Sequence, residues 1–146
     1  MVLVAGLAAL GASLLPYYTV VSTIDWQGVP HTESFTGNSW FGLYGWLAAV
    51  LLACSAGAAA MHIASAKTRR PFAVVAVFLS VAGLASAIAA RVIYPDITNL
   101  DLVKDLQWFT VDKLYGYGYW VGLGCAIVAT VAAVVALLGA MRKPTR

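Results

Sequence analysis

Charge is the scarcest feature of this 146-residue chain. Nine Lys and Arg and six Asp and Glu make up 10% of it, against about 25% in a soluble domain. So few charges cannot wet the surface of a soluble enzyme, and a 62% hydrophobic composition excludes a disordered tail. The charges are also clustered. Residues 1–24, 34–66, 71–90 and 114–141 carry none, in stretches of 24, 33, 20 and 28 residues. Each reaches the ~20 residues that cross a bilayer as a helix.

Cysteine and histidine are almost as rare. Cys54 and Cys125 both fall inside predicted spans, about 20 and 14 Å from the outer ends at ~1.5 Å per residue. With no cysteine in any loop, redox enzymes built on CxxC pairs are excluded, as is a disulfide framework. His31 lies outside the spans and His62 alone lies within one, so a bis-histidine haem is excluded. No Asp or Glu falls inside a span. Proton- and cation-coupled carriers ordinarily depend on such a carboxylate, and a drug/proton antiporter is disfavoured accordingly. No catalytic triad, HExxH, GxSxG or phosphate-binding loop is present. No catalytic residue, metal ligand or cofactor is expected.

The distribution of charge sets an orientation. Lys67, Arg69, Arg70, Arg142, Lys143 and Arg146 lie on one side of the predicted bundle with no acid among them. All six acids (Asp25, Glu33, Asp96, Asp101, Asp105, Asp112) lie on the other, with only Lys104, Lys113 and the membrane-edge Arg91. Basic short loops stay cytoplasmic, so both termini are expected inside. The net charge of +3 then reflects topology, with some contact to anionic lipid heads, and not nucleic-acid binding. A cleaved signal peptide over Met1–Ser13 is disfavoured by the lack of a positive n-region. A start further upstream would explain the minimal flank before the first helix.

The expected architecture is therefore an all-α, single-domain four-helix membrane bundle over residues 1–146, with spans about 2–18, 41–64, 72–93 and 115–141. The outer loops cover about 19–40 and 94–114. In the first, the β-branched and aromatic run Tyr18–Trp26, a turn at Gln27-Gly28-Val29-Pro30 and His31–Thr36 predict a β-hairpin. In the second, Thr98 caps a short amphipathic helix. Its apolar face is Leu102, Val103, Leu106 and Phe109, with Asp101, Lys104, Asp105 and Asp112 opposite. Small residues every fourth position (Gly45, Ala49, Ala53 and Gly57; Gly118, Gly122 and Ala126; Ala5, Ala9 and Ser13) predict close helix packing. A tight bundle leaves little room for a monomeric channel.

Aromatic residues are abundant but one-sided. All five Trp and all seven Tyr fall in the outer loops or the outer part of a span. An interfacial belt accounts for such residues, yet a belt normally occurs at both faces. The asymmetry suggests anchors for a partner protein or an amphiphile. Candidate lipid or partner contacts are Tyr17, Tyr18, Trp26, Trp40, Tyr44, Trp108, Tyr117 and Trp120, with Arg91 and Asp96 at the membrane edge. Arg91 snorkels to the interface and pairs with an acid such as Asp96 in the plainer reading; in the other, its planar guanidinium takes a lipid phosphate.

Leu14-Leu15-Pro16-Tyr17-Tyr18, then an extended segment, then Gly42-Leu43-Tyr44-Gly45-Trp46 resembles uncharacterised small four-span membrane proteins of high-GC bacteria. In those proteins a Pro-aromatic pair follows the first helix. The architecture is also similar to claudin-like tetraspans with a β-rich first outer loop, without the paired cysteines of that loop. The resemblance implies topology and a bacterial plasma-membrane location, not an activity. The function expected is a non-catalytic accessory subunit or scaffold docking a larger membrane complex. An oligomeric pore or permease is the main rival, and binding of an outer-leaflet lipid or quinone is the third reading. Expected partners are membrane lipids and a larger complex or further copies of the chain.

Overall fold

The structure, a computed structural model, describes residues 1–64, 69–92 and 109–142. Its elements in chain order are α1 (Val2–Ala12), β1 (Tyr18–Trp26), β2 (Val29–Gly37), a 3₁₀ turn (Ser39–Phe41), α2 (Leu43–Ala64), α3 (Arg69–Val92), β3 (Phe109–Tyr115) and α4 (Tyr117–Arg142). At ~1.5 Å per residue, α2, α3 and α4 run about 33, 36 and 39 Å. These three helices are long and apolar enough to cross a membrane.

The first helix is shorter than expected. Its 11 residues cover about 16 Å, and the chain from Ser13 to Tyr18 is not helical as the expected span 2–18 required. Pro16 disfavours helical backbone at Leu15, and the Ser13 hydroxyl turns back onto the Leu10 carbonyl. At the other extreme α3 starts earlier than residue 72, with Arg69, Arg70 and Pro71 in its first turn. Proline is tolerated there because no intrahelical N–H is lost.

Packing in the bundle is inside-out relative to a soluble protein. Buried positions are overwhelmingly small: Ala5 and Ala9 of α1, Ala48, Ala49 and Ala56 of α2, Ala73, Ala76 and Ala87 of α3, and Ala126, Ala129 and Ala133 of α4. The bulky apolar residues face outward, among them Phe78, Val81, Ile88, Ile127, Val131 and Leu138. Water would drive these inward; hydrocarbon does not, and small residues let helix backbones approach. Hydroxyls join the helices through backbone carbonyls. Ser55 Oγ donates to Ala76 O at 2.9 Å, Ser86 Oγ to Tyr44 O at 2.8 Å and Thr130 Oγ1 to Ser80 O at 3.2 Å. The helices form a ring in which α1 packs on α2 and α4, and α3 packs on the same two.

The expected hairpin is present, and longer in its second strand than 31–36. Its turn takes only Gln27 and Gly28, both at positive φ (55° and 80°), as a two-residue type I′ connection requires. A third strand joins it. β3 pairs antiparallel with β1, from Tyr18↔Tyr115 to Ile24↔Phe109, giving the sheet order β2-β1-β3. Residues 109–112 are therefore strand and do not belong to the expected amphipathic helix; Leu102, Val103 and Leu106 lie outside the described residues.

Candidate functional site

The sheet is fixed to the bundle through the short segment between α1 and β1. Ser39 donates to the Ser13 carbonyl from its backbone (3.2 Å) and its hydroxyl (3.0 Å), and Trp40 Nε1 donates to Ser13 Oγ at 3.0 Å. Further along, the Tyr17 N–H donates to Gly37 O, the Gly116 N–H to Tyr17 O and the Gly118 N–H to Pro16 O, each at 2.9 Å. One five-residue linker thus ties both outer strands and the start of α4 together. Such backbone groups must find partners when buried, and here they find one another across the sheet–bundle junction.

Around this linker the tyrosines collect. Tyr17 and Tyr119 meet edge-on with ring centroids 5.3 Å apart, Tyr115 lies 4.8 Å and Trp120 5.2 Å from Tyr119, and Tyr119 is 2% exposed. Tyr18, Tyr44 and Ala90 complete the cluster. Arg91 projects between two rings, its Cζ 5.5 Å from the Tyr115 centroid and 5.4 Å from that of Trp120. The Tyr115 hydroxyl donates to the Arg91 carbonyl at 3.2 Å. Cation–π contacts of this kind are worth about 0.5–1 kcal/mol each at exposed sites, and they hold the guanidinium in place while its edges stay accessible.

The structure therefore brings together Tyr17, Tyr18, Tyr44, Arg91 and Trp120 of the candidate contacts. Trp40 stands apart on Ser13, Tyr117 is exposed at the start of α4, and Trp26 ends β1 at the far tip of the sheet. Asp96 and Trp108 lie outside the described residues. The residues at the centre, Tyr115 and Tyr119, belong to the one-sided aromatic layer read from the sequence but were not among the candidate contacts. Of the small residues, Gly45 and Ala49 are buried on α2 while Ala53 is half-buried. Gly118 abuts Pro16 and Leu15, whereas Gly57 and Gly122 have open space where a Cβ would stand. The tightest helix approach was missed: a Cβ on Gly6 would stand 2.5 Å from Leu52 O and 2.7 Å from Ala56 Cβ.

Burial, reinforced by the neighbouring phenols of Tyr119 and Tyr115, raises the Tyr17 phenol well above its ordinary value. The native state thus keeps a proton that the unfolded chain releases above about pH 10. This contribution to stability is full below about pH 10 and is lost as the pH rises further. Thermal unfolding in detergent at successive alkaline pH values is expected to show that decline, and Tyr17→Phe to lessen it.

Two hollows lie in the bundle, one of them beside Tyr17. A cavity of about 20 Å³, the size of one water, lies among Ser13, Tyr17, Ser39 and Leu52. An apolar groove of about 300 Å³ runs between α1 and α4 past Val4, Val121 and Val128. No group of three or more His, Cys, Asp or Glu is gathered to hold a metal among the described residues. The site offers rings, a guanidinium and strand edges, which is chemistry for recognition. The chain matches no protein-family model and no curated protein.

Proposed function

We propose that this protein is a non-catalytic membrane accessory subunit or scaffold whose sheet end docks a larger membrane complex. In this reading α1 completes a fourth span, the basic end with both termini faces the cytoplasm of a bacterium, and the sheet lies outside. The observation that carries it is the exposure of the sheet. Every residue of β2 from Val29 to Thr36 is exposed, and Phe35 retains 55% of its surface. A small sheet without a partner layer is marginal in water, yet this one is bonded firmly to the bundle. Among the described residues no layer covers the exposed side of β2, and a docked protein supplies one.

The test is association in native membranes, with Phe35→Asp as the variant. Phe35 is more than half exposed on β2, so the variant is expected to fold while partner capture falls at least about tenfold, the scale of a lost aromatic anchor. Capture that is unaffected, or absent from the wild type, counts against docking through this sheet. The Arg91 arrangement favours a second reading at the same level, contact with an anionic lipid headgroup, since guanidinium suits phosphate. The pore reading needs several copies to line a path, because the cavity at the sheet end holds about one water.

A further inference from the structure

The outer edge of β2 is unpaired among the described residues, and its hydrogen-bonding pattern can be worked out. The two-residue turn closes on Trp26↔Val29, so that pair exchanges backbone bonds, and alternate pairs follow. Val29, His31, Glu33, Phe35 and Gly37 thus bond inward to β1. Pro30, Thr32, Ser34 and Thr36 direct their backbone groups outward. Two observations agree. Thr19–Thr36 and Thr23–Thr32 bring their hydroxyls to 3.2 and 3.3 Å, as the closer non-bonded pairs do, and Pro30, which has no N–H, occupies an outward position where β1 loses nothing.

We infer that this edge pairs with the same edge of a second copy of the chain, antiparallel, about a two-fold axis through Thr32. A symmetric edge pair must match outward residues with outward residues, and five registers centred on residues 31 to 35 do so with five or more paired residues of β2; centring on Phe35 leaves both Val29 and His31 unpaired. Centring on Glu33 sets two carboxylates opposite each other, which is repulsive. Centring on Ser34 sets Glu33 against Phe35, and centring on His31 sets Val29 against Glu33. Centring on Thr32 alone places His31 of each copy opposite Glu33 of the other, twice over. It also places Val29 opposite Phe35, the apolar residues of β2 left 57% and 55% exposed. An imidazole N–H donates to a carboxylate, so His31 and Glu33 can bond twice about the axis and the apolar surface is covered in the same register. The Thr32 pair contributes two backbone bonds, and each Ser34 N–H donates to a Pro30 carbonyl. The axis is perpendicular to the sheet. Copies in one membrane therefore pair if the sheet lies along the surface, and copies in facing membranes pair if it stands upright.

This inference rests on the docking reading and names the occupant of the β2 edge, leaving the exposed face of the sheet, on which Phe35 stands, for the larger complex. It is tested on the full chain in membranes with Thr32→Cys and Ser34→Cys, each exposed, under mild oxidation and with a short thiol-to-thiol cross-linker. The wild type, which carries Cys54 and Cys125, sets the background. Thr32→Cys is expected to give a covalent dimer at least about tenfold above Ser34→Cys. Adding Glu33→Lys removes both acceptors and lowers that yield about two- to thirtyfold, the range for two cross-strand pairs, and exchanging the two residues (His31→Glu with Glu33→His) restores it. Two differently tagged populations, in one membrane or in separate vesicles, distinguish the two geometries. A Ser34→Cys yield equal to that of Thr32→Cys, insensitivity to Glu33→Lys, or no dimer with either reagent overturns the proposal. If no dimer forms while a larger partner is still captured, the copy-to-copy pairing fails and the docking reading stands.

Discussion

Gly118→Val is expected to uncouple the sheet from the bundle. Gly118 is buried in the first turn of α4, and a Cβ there would stand 2.7 Å from Pro16 O and 3.0 Å from both the Leu15 Cβ and carbonyl oxygen. Those neighbours are mainly backbone and cannot rotate away. An isopropyl group must push the linker out, and the 2.9 Å bond from the Gly118 N–H to Pro16 O goes with it. The same linker holds β2 through the Tyr17–Gly37 bond and β3 through Gly116, so displacement spreads to both edges of the sheet. Overpacking costs about 1–3 kcal/mol, and each lost buried bond adds about 1 kcal/mol. A total of about 3 kcal/mol or more is expected, read as a lower unfolding midpoint in detergent. Loss of the sheet's distinct environment, followed through Trp40 fluorescence, accompanies it. A variant that melts with the wild type removes the junction from its place in this account.

Gly6→Leu is expected to detach α1. At Gly6 the backbones of α1 and α2 come so close that a Cβ would meet the Leu52 carbonyl at 2.5 Å and Ala56 Cβ at 2.7 Å. A leucine must separate the helices by more than its Cβ, because neither neighbour can fold aside. Parted from α2, the 11-residue α1 is left mainly with its packing on α4. Small-residue helix packing depends on this approach, and the loss is expected to reach about 3 kcal/mol or beyond. Its signature is local. Ala9, 4% exposed in the α1–α2–α4 core, is replaced by Cys and tested for reaction with a maleimide. It is expected to be protected alone and reactive when combined with Gly6→Leu. Continued protection would show that α1 is held elsewhere.

The long helices were legible because charge marks their ends: each charge-free stretch is an insulated segment, and α2, α3 and α4 fall within two or three residues of the expected bounds. The hairpin was legible for a related reason, since β-branched residues crowd Tyr18–Trp26 around a turn needing positive φ. β3 was not. Leu102, Leu106 and Phe109 suggest helical spacing, while Phe109–Tyr115 carries no turn of its own and gains its partner only from β1, about ninety residues earlier in the chain. The end of α1 was misplaced because length was reckoned from missing charge when Pro16 already stopped the helix. The tyrosine cluster was half legible: its one-sidedness was plain, but only the strand-to-helix passage through Gly116 stacks Tyr115 on Tyr119 beside Tyr17. Gly6 was hidden among equally small neighbours, since which small residue faces a carbonyl depends on how the helices are rotated.

The central claim is that the exposed sheet docks a larger membrane protein. It is tested most directly by extracting the protein from its native membranes in mild detergent and measuring the mass and composition of what it is bound to. The expected result is a second membrane protein in fixed stoichiometry, lost with Phe35→Asp. Recovery of this chain with lipid alone, or with no protein but further copies of itself, would contradict it.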